Sequence, residues 1–316
     1  MLINGPNLTL SGTAVLVLGR TPTPEIEGSM WYDEDEGRVK YTGLQTGVWS
    51  TGGDLNVARQ QLAGAGTQNA GLAFGGYNPS TNVGACTEEY NGISWASGGA
   101  LINSNRLLAG AGTQNAGLAF GGNYGPGACT EEYNGTSWSA GGALSTGRYG
   151  LAGAGTQNAG LAFGGYSGVV LACTEEYNGS SWSSGGAMIT ARRGLAGAGT
   201  QNAGLAFGGD YGPKTCTEEY NGISWSAGGN LIVGRDALAG AGTQNAGLAF
   251  GGYYVGALRC TEEYNGTSWS AGGALIRARC ALAGAGSQNS GLAFGGCDGY
   301  VCPDTEEYNK FITYTL

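Results

Sequence analysis

Paired glutamates are the most frequent candidates for acid–base chemistry in this sequence. The phrase Thr-Glu-Glu-Tyr occurs six times, from Glu88-Glu89 in the first copy to Glu306-Glu307 in the last. Two carboxylates that converge on one point could act as general acid and base or bind Ca²⁺. Neighbouring residues of a strand point to opposite faces, so these pairs do not form a dyad. We expect one glutamate of each pair to form an ion pair between neighbouring repeats with an arginine. The candidate arginines are Arg59, Arg148, Arg235 and Arg279.

Eight cysteines are the second candidate set. Five of them directly precede a Thr-Glu-Glu phrase, namely Cys86, Cys129, Cys173, Cys216 and Cys260. If the repeats stand side by side around an axis, these thiols lie roughly 15 Å apart, too far for a disulfide bond or a shared metal ion. We expect them to be small buried apolar side chains. Cys297 and Cys302, with Cys280, belong to the last repeat alone, and Cys297 and Cys302 flank one loop and could pair if oxidised.

Histidine and a phosphate-binding loop are both absent from the sequence. The sequence has no histidine, which excludes Ser-His-Asp and Cys-His catalysis and the commonest zinc and copper ligand. The glycine-rich phrase LAGAG lacks the Lys-Ser/Thr of a phosphate-binding loop. A net charge of −9 disfavours nucleic acid and anionic membrane surfaces as partners. We therefore expect no enzymatic activity, no catalytic residue, no cofactor and no metal site.

Tyrosines in variable loops are the remaining candidates for ligand binding. When the repeats are compared, the segments after GLAFGG and before LAGAG differ, whereas TQNA and YNG hardly change. Exposed tyrosine offers a flat amphipathic platform for sugars or protein surfaces, so we expect the variable loops to form a binding face. The alternative is that these tyrosines only cap the repeats or pack on neighbouring loops. The tyrosines are Tyr77, Tyr124, Tyr166, Tyr211, Tyr253, Tyr254 and Tyr300.

The elements that position these residues form a tandem array. LAGAGTQNAGLAFGG begins at Leu62 and returns at intervals of 46, 43, 44, 43 and 44 residues. Each unit divides into four strand-length pieces: LAGAG, GLAFGG, CTEEYNG and SWSAGG. The Asn-Gly step predicts a hairpin turn in which both residues have positive φ. Four short antiparallel strands in such a period predict a propeller blade.

Side-chain size predicts the order of the strands in a blade. The small residues of LAGAG suit the crowded axis, and the tryptophan-bearing strand suits the wide rim, where gaps between blades need large side chains. These tryptophans are Trp95, Trp138, Trp182, Trp225 and Trp269. Alternate loops of an up-and-down blade emerge at one end, so the variable loops share one face.

Counting the strands predicts how the array closes. LAGAG and TEEYN runs each number six, but six Trp-x-x-Gly-Gly runs are found only when Trp49 is included. We expect the strand around Trp49 to pair with Thr305–Tyr308 and complete the last blade, which removes both open edges. The alternative is that Phe311–Leu316 supplies this strand. The predicted fold is all-β: a six-bladed propeller of four-stranded antiparallel blades at 49–316, after a short β-rich N-terminal extension at 1–48.

The repeat resembles the Kelch repeat. Gly75-Gly76 at the end of a strand, the pair Glu89-Tyr90, the following Trp95 and the preceding Arg59 stand in that family's order. The resemblance recurs six times over residues 49–308 and implies a Kelch-like propeller, although that fold does not imply any one function. The distance from Tyr to Trp is one or two residues shorter than in Kelch repeats, so we expect a tight turn between the third and fourth strands.

The extension carries a second resemblance. Gly28–Tyr32 and Arg38–Tyr41 flank an acidic turn, and this pattern predicts a hairpin. The phrase GSMWYDEDEGRVKYT resembles a hairpin phrase of many tailed-bacteriophage tail and fibre proteins. This resemblance implies a virion component whose extension attaches to other virion proteins.

We expect a non-enzymatic virion structural or attachment protein, oligomeric within a particle. Its loop face would bind a host-surface glycan or protein, or a neighbouring virion protein. Ala14–Leu18 is too short for a signal peptide or a membrane span, so we expect synthesis in the host cytoplasm and no membrane partner. The alternatives are a purely structural capsid decoration or tail adaptor and, third, a glycan-active enzyme of the propeller class.

Overall fold

The described part of the chain is built from strands, turns and loops. A computed structural model describes residues 16–18, 30–33, 38–81, 83–123, 127–212 and 214–315. In these ranges no helix is long and apolar enough to cross a membrane. The chain divides into two compact units, Val48–Tyr308 and a smaller one formed by Met1–Gly47 with Asn309–Leu316.

Among the described residues before 48, the smaller unit contains three strand segments. The strand β1 (Leu16–Leu18) pairs in parallel with β2 (Met30–Asp33). In turn, β2 pairs antiparallel with the beginning of β3 (Arg38–Thr51), with Met30 opposite Tyr41 and Asp33 opposite Arg38. This pairing lies where the sequence predicts a hairpin, and the turn residues 34–37 lie outside the described residues.

The larger unit is the predicted six-bladed propeller, and each blade is a four-stranded antiparallel sheet. The inner strands are β4 (Ala63–Thr67), β8 (Ala109–Thr113), β12 (Ala152–Thr156), β16 (Ala196–Thr200), β20 (Ala239–Thr243) and β24 (Ala283–Gly286). The second strands are β5 (Ala70–Phe74), β9 (Ala116–Phe120), β13 (Ala159–Phe163), β17 (Ala203–Phe207), β21 (Ala246–Phe250) and β25 (Ser290–Phe294).

The third and outer strands complete each blade. The third strands are β6 (Thr87–Tyr90), β10 (Thr130–Tyr133), β14 (Thr174–Tyr177), β18 (Thr217–Tyr220), β22 (Thr261–Tyr264) and the beginning of β26 (Thr305–Thr315). The outer strands are β7 (Trp95–Ser97), β11 (Trp138–Ala140), β15 (Trp182–Ser184), β19 (Trp225–Ala227), β23 (Trp269–Ala271) and the end of β3.

The inner strands need glycine because neighbouring blades approach closely at the axis. A Cβ added at Gly64 would lie 2.6 Å from the Phe294 ring and 2.8 Å from the carbonyl oxygen of Gly284. Contacts below 3.0 Å essentially never occur for a real Cβ, so a larger residue would push the blades apart. The repeated LAGAG therefore reflects the spacing of the blades.

The outer tryptophans join each blade to the preceding one. The Trp138 indole lies against Phe74 at a ring distance of 5.0 Å, and its Nε1 donates to the Thr87 hydroxyl at 3.0 Å. Both partners belong to the first blade, so the indole fills the gap between blades, where it is buried. The same two contacts recur at Trp49, Trp95, Trp182, Trp225 and Trp269.

The turn between the first and second strands also joins neighbouring blades. The Gln114 side chain donates from Nε2 to the backbone oxygens of Tyr90 at 2.7 Å and Gly71 at 3.1 Å, both in the preceding blade. These two hydrogen bonds explain why the TQN turn hardly changes between repeats. Equivalent bonds are made by Gln68, Gln157, Gln201, Gln244 and Gln288.

The propeller ring closes through the strand that contains Trp49. In the last blade, β3 lies beside β26, and the backbone N–H of Gly52 donates to Thr305 at 2.9 Å. Trp49 lies 5.0 Å from the ring of Tyr308 and 5.0 Å from that of Phe250. The N-terminal strand, and not Phe311–Leu316, therefore occupies the outer position of the sixth blade.

The Asn-Gly turn differs from its prediction. Only the glycine has positive φ, 88° at Gly92. The Asn91 side chain instead accepts hydrogen bonds from the backbone N–H groups of Ile93 and Ser94, both at 2.9 Å. The prediction of positive φ at both positions is therefore wrong for asparagine, because its side chain closes the turn as an Asx motif.

Buried arginine–glutamate pairs lie within blades and not between them. Arg59 is fully buried, and its guanidinium donates to Glu88 and to the carbonyl oxygen of Ala73, all in one blade. The prediction of a pair between repeats is wrong, because the arginine stands in the linker that enters the blade of its own glutamate. Matching pairs are Arg148–Glu175, Arg192–Glu218, Arg235–Glu262 and Arg279–Glu306.

The second glutamate of each phrase makes the bond between blades. The hydroxyl of Tyr133 donates to the carboxylate of Glu89 in the preceding blade at 2.5 Å. The two adjacent glutamates therefore act on opposite faces of one strand, as strand geometry requires. The other five tyrosines are Tyr90, Tyr177, Tyr220, Tyr264 and Tyr308.

The second blade lacks the buried arginine that the other five blades have. Asn105 stands in the arginine position, and its amide donates to the carbonyl oxygen of Gly121 at 2.6 Å. Glu131 is still buried and accepts from the backbone of Ile102 at 2.7 Å and from Asn103 at 3.0 Å. Among the described residues, no Lys or Arg side chain forms an ion pair with it.

Candidate functional site

Both variable segments of each repeat meet on one face of the propeller. In the first blade, Gln60 of the entering linker and Tyr77 of the loop after the second strand exchange two backbone hydrogen bonds, of 3.0 and 2.8 Å. We call the equivalent residue pairs the variable pairs, and their face the variable face. The pairs are Gln60–Tyr77, Arg106–Asn123, Tyr149–Tyr166, Arg193–Asp210, Asp236–Tyr253 and Cys280–Cys297.

A closed ring of backbone hydrogen bonds supports this face around the axis. The residue after each linker member of a variable pair donates its N–H to the equivalent carbonyl oxygen of the preceding blade, at 2.8 to 2.9 Å. We call these six residues the axial ring: Gln61, Leu107, Gly150, Gly194, Ala237 and Ala281. Their φ angles all lie between 49° and 61°. The six axial-ring residues therefore have closely similar φ angles, and their side chains vary from blade to blade.

The predicted tyrosines have different surroundings on the variable face. Tyr300 is 83% exposed and Tyr211 67% exposed, whereas Tyr77 and Tyr166 are half-buried. The ring of Tyr77 faces the guanidinium of Arg106 at 4.6 Å. Tyr253 and Tyr254 are exposed on the same face, and Tyr124 lies outside the described residues.

Arg193 organises the densest side-chain cluster of this face. Its guanidinium lies over the Tyr166 ring at 5.0 Å and over the Tyr211 ring at 4.8 Å. The Nε atom of Arg193 lies 3.3 Å from each carboxylate oxygen of Asp210. The ring of Tyr149 packs against that of Tyr166 at a centre distance of 5.4 Å, with the two planes inclined by 56°. These contacts hold the arginine fork in one orientation.

A second charged pair joins the loop of this blade to the linker that enters the next one. The ammonium of Lys214 pairs with the carboxylate of Asp236 and lies 5.9 Å from the centre of the Tyr254 ring. The exposed fractions of the two side chains are 32% and 19%, so both remain accessible to solvent. The two ion pairs, Arg193–Asp210 and Lys214–Asp236, give this sector equal numbers of positive and negative charges.

An open cleft of about 270 Å³ lies between these groups. Its floor is formed by axial-ring residues, among them Gly150 and Gly194. Its walls carry Tyr149, Arg193 and the carboxylates of Asp210 and Asp236. The two glycines create this space because they place no side chain where Leu107 projects in the second blade. The cleft offers hydrogen-bond donors, acceptors and an aromatic ring within one concave site.

Only part of this cluster was among the predicted site residues. Tyr166 and Tyr211 belong to the predicted set, whereas Tyr149, Arg193, Asp210 and Asp236 do not. The sequence does contain a signal for them: the residue after the linker arginine position is different in every repeat. In chain order it reads Gln60, Arg106, Tyr149, Arg193, Asp236 and Cys280.

Two of the three cysteines of the last repeat, Cys280 and Cys297, lie side by side. The thiol sulfurs of Cys280 and Cys297 lie 3.3 Å apart in a variable pair. Cys302 is buried, and its sulfur lies 3.3 Å from the carbonyl oxygen of Gly296. The thiol positioned to pair with Cys297 is therefore that of Cys280, because the backbone bridge from the linker brings these two residues together.

The other five cysteines are only half-buried, where the sequence predicts buried side chains. In the described ranges, no group of three or more Cys, Asp or Glu side chains is placed to hold a metal ion.

No protein-family model matches the chain, and no curated protein matches it in sequence.

Proposed function

We propose that this chain is a non-enzymatic component of a virus particle, most similar to a bacteriophage tail or fibre protein. Its variable face binds a host-surface glycan or a neighbouring virion protein. The observation that carries this proposal is the separation of constant and variable residues. The blades share the same structural contacts, whereas the variable pairs differ in every blade.

The constant contacts account for the repeated residues without any ligand. Glu89 accepts from a tyrosine of the next blade, Glu88 pairs with Arg59, and Trp95 bonds to Thr305. Residues so fully engaged in packing are poor candidates for catalysis. Loops on a rigid scaffold commonly carry binding function, and the variable face has that form.

A Kelch-type origin of the blades is part of the proposal. The double glycine, Arg59, the pair Glu89-Tyr90 and Trp95 stand in the order of that repeat. The contacts give each of these residues a structural role, which is consistent with their recurrence. The bacteriophage assignment is supported by the phrase GSMWYDEDEGRVKYT, which includes β2 and the beginning of β3. In this proposal the extension attaches the protein to the particle.

Immunogold labelling of particles tests the proposal. Antibodies raised against the purified chain are applied to virus particles from lysates of the source culture, and gold is expected on tails or fibres. Recovery of the chain only in the soluble host fraction, with unlabelled particles, would overturn the assignment. Cryo-EM of labelled particles then distinguishes the roles: a free distal variable face is expected for attachment, and contacts on both faces identify a decoration or adaptor protein.

A further inference from the structure

We propose that the cleft over Gly150 and Gly194 is a subsite for one neutral sugar residue, such as a hexose or an N-acetylhexosamine. This inference rests on the proposed function, since it assigns the glycan to one sector of the variable face. The inference is based on the composition of the cleft. Its lining combines the aromatic side chain of Tyr149, the guanidinium of Arg193 and two partly exposed carboxylates, those of Asp210 and Asp236.

The volume of the cleft limits the size of the ligand that it can hold. Sites for small molecules usually have volumes of about 300 to 1,000 Å³. The cleft, at about 270 Å³, lies just below this range. It therefore accommodates one ring rather than an extended oligosaccharide, and further sugar units would extend over the exposed Tyr211 or Tyr254.

The paired charges around the cleft favour a neutral ligand. Each cation of this sector already has a carboxylate partner, in the pairs Arg193–Asp210 and Lys214–Asp236. An anionic sugar would approach two carboxylates without finding an unpaired cation. A polyhydroxylated neutral ring can instead donate hydroxyl hydrogens to Asp210 and Asp236 and accept from Arg193.

The polar groups are held in position before a ligand arrives. The guanidinium of Arg193 lies over the rings of both Tyr166 and Tyr211, and the ring of Tyr149 packs against that of Tyr166. Sites whose side chains are already fixed lose little conformational entropy when they bind. Tyr149 lines the cleft and supplies the aromatic side chain against which the C–H groups of a sugar can pack.

The axial ring supplies a substitution that fills the cleft and keeps the fold. Leu107 adopts φ 54° in this ring, close to the 61° of Gly150. A Cβ at Gly150 would meet no atom closer than 3.7 Å. Gly150→Leu therefore reproduces a side chain that the second blade already carries. Ala281→Leu, at φ 51° in the same ring and outside the cleft, is the matched control.

Saturation-transfer NMR of the full chain tests the subsite. The probes are the methyl glycosides of galactose, mannose, glucose and N-acetylglucosamine, with methyl glucuronide, a single ring of similar size that carries a carboxylate, as the anionic comparison. We expect at least one neutral glycoside to bind and methyl glucuronide not to bind. Gly150→Leu should abolish binding, Arg193→Lys should weaken it at least tenfold, and Ala281→Leu should leave it unchanged, with unaltered circular dichroism throughout.

The outcomes separate the subsite from the wider function. If Gly150→Leu binds a neutral glycoside as well as the wild type does, the cleft is not the site, while attachment through another sector of the variable face stands. If no neutral glycoside binds, or if only the anionic probe binds, the subsite is overturned. The immunogold experiment then decides the virion assignment independently.

Discussion

The hydroxyl of Tyr90 donates a 2.7 Å hydrogen bond to Glu307, a residue 217 positions away, and this bond joins the first blade to the last. Burial, followed by this hydrogen bond, raises the pKa of Tyr90 to about 12. The pKa values of Tyr133, Tyr177, Tyr220 and Tyr264 are likewise raised to about 12, and that of Tyr308 is also raised. Each blade interface therefore depends on a protonated phenol.

Alkaline pH should destabilise the propeller steeply. The unfolded tyrosine pKa is about 10, so the folded state favours the protonated form. This stabilisation is complete below pH 10 and is lost as the pH rises through the folded value of about 12. Thermal melts followed by circular dichroism from pH 8 to 11.5 should show a falling Tm. Tyr133→Phe should lower the Tm at pH 8 and reduce its decline above pH 10. If the buried tyrosines ionise near pH 10 at 295 nm while the fold stays intact, the prediction is wrong.

Restoring the missing arginine should stabilise the second blade. Asn105→Arg places a guanidinium beside Glu131, as in the other five blades, and we expect a higher midpoint in urea unfolding. The reciprocal Arg148→Asn leaves Glu175 buried without its partner, which should cost about 3 to 5 kcal/mol of unfolding free energy. An unchanged or lower midpoint for Asn105→Arg would show that the hydrogen bonds from Ile102 and Asn103 already satisfy Glu131.

Oxidation should join Cys280 to Cys297. Hydrogen-bonded antiparallel pairs have Cα atoms about 5.5 Å apart, within the range for a disulfide. The hydrogen bond from Cys280 lowers the pKa of Cys297 to about 7, whereas burial raises that of Cys302 to about 11. The Cys297 thiolate attacks glutathione disulfide and releases one glutathione, and Cys280 then displaces the second.

Peptide mapping after this treatment should identify a Cys280–Cys297 crosslink and the loss of two thiols. Cys280→Ser should prevent the crosslink, and Cys302→Ser should leave it intact. A Cys297–Cys302 crosslink in the wild type would contradict the geometry of the last blade.

A methyl group at the axis should destabilise the ring. Gly110→Ala would place Cβ 2.6 Å from the Phe74 ring and 2.8 Å from the carbonyl oxygen of Gly64. We expect a loss of about 1 to 3 kcal/mol, which is typical of overpacking. Gly256→Ala is the control, since its Cβ would meet nothing within 4 Å. Equal unfolding midpoints for the two variants would show that the inner strands can move apart without a loss of unfolding free energy.

The sequence predicts the blades well because every copy carries the same information. Small residues in LAGAG, a tryptophan on the last strand and the number of copies define the strands and the six blades. The count of tryptophan strands also points to Trp49, which does occupy the outer position of the last blade.

The sequence predicts the candidate site less well. The cleft combines residues from several blades with the positive φ of the axial ring, and neither is visible in one repeat. The repeat period does not reveal which blade a linker residue contacts, so the sequence predicts arginine–glutamate pairs between blades where the structure has them within blades. The sequence also predicts positive φ for the asparagine of the turn, because it does not show that an Asx bond competes with the positive-φ hairpin.

The closing strand has a consequence for assembly at high concentration. Val48–Thr51 reaches its place beside Thr305–Tyr308 only by contact between distant parts of the chain. The partners of Trp49, Phe250 and Thr261, are the same on every copy of this molecule. During refolding, the strand of one molecule can therefore close the last blade of another. The exchange converts a closed ring into a swapped dimer or an open chain of propellers, and dilution favours the ring.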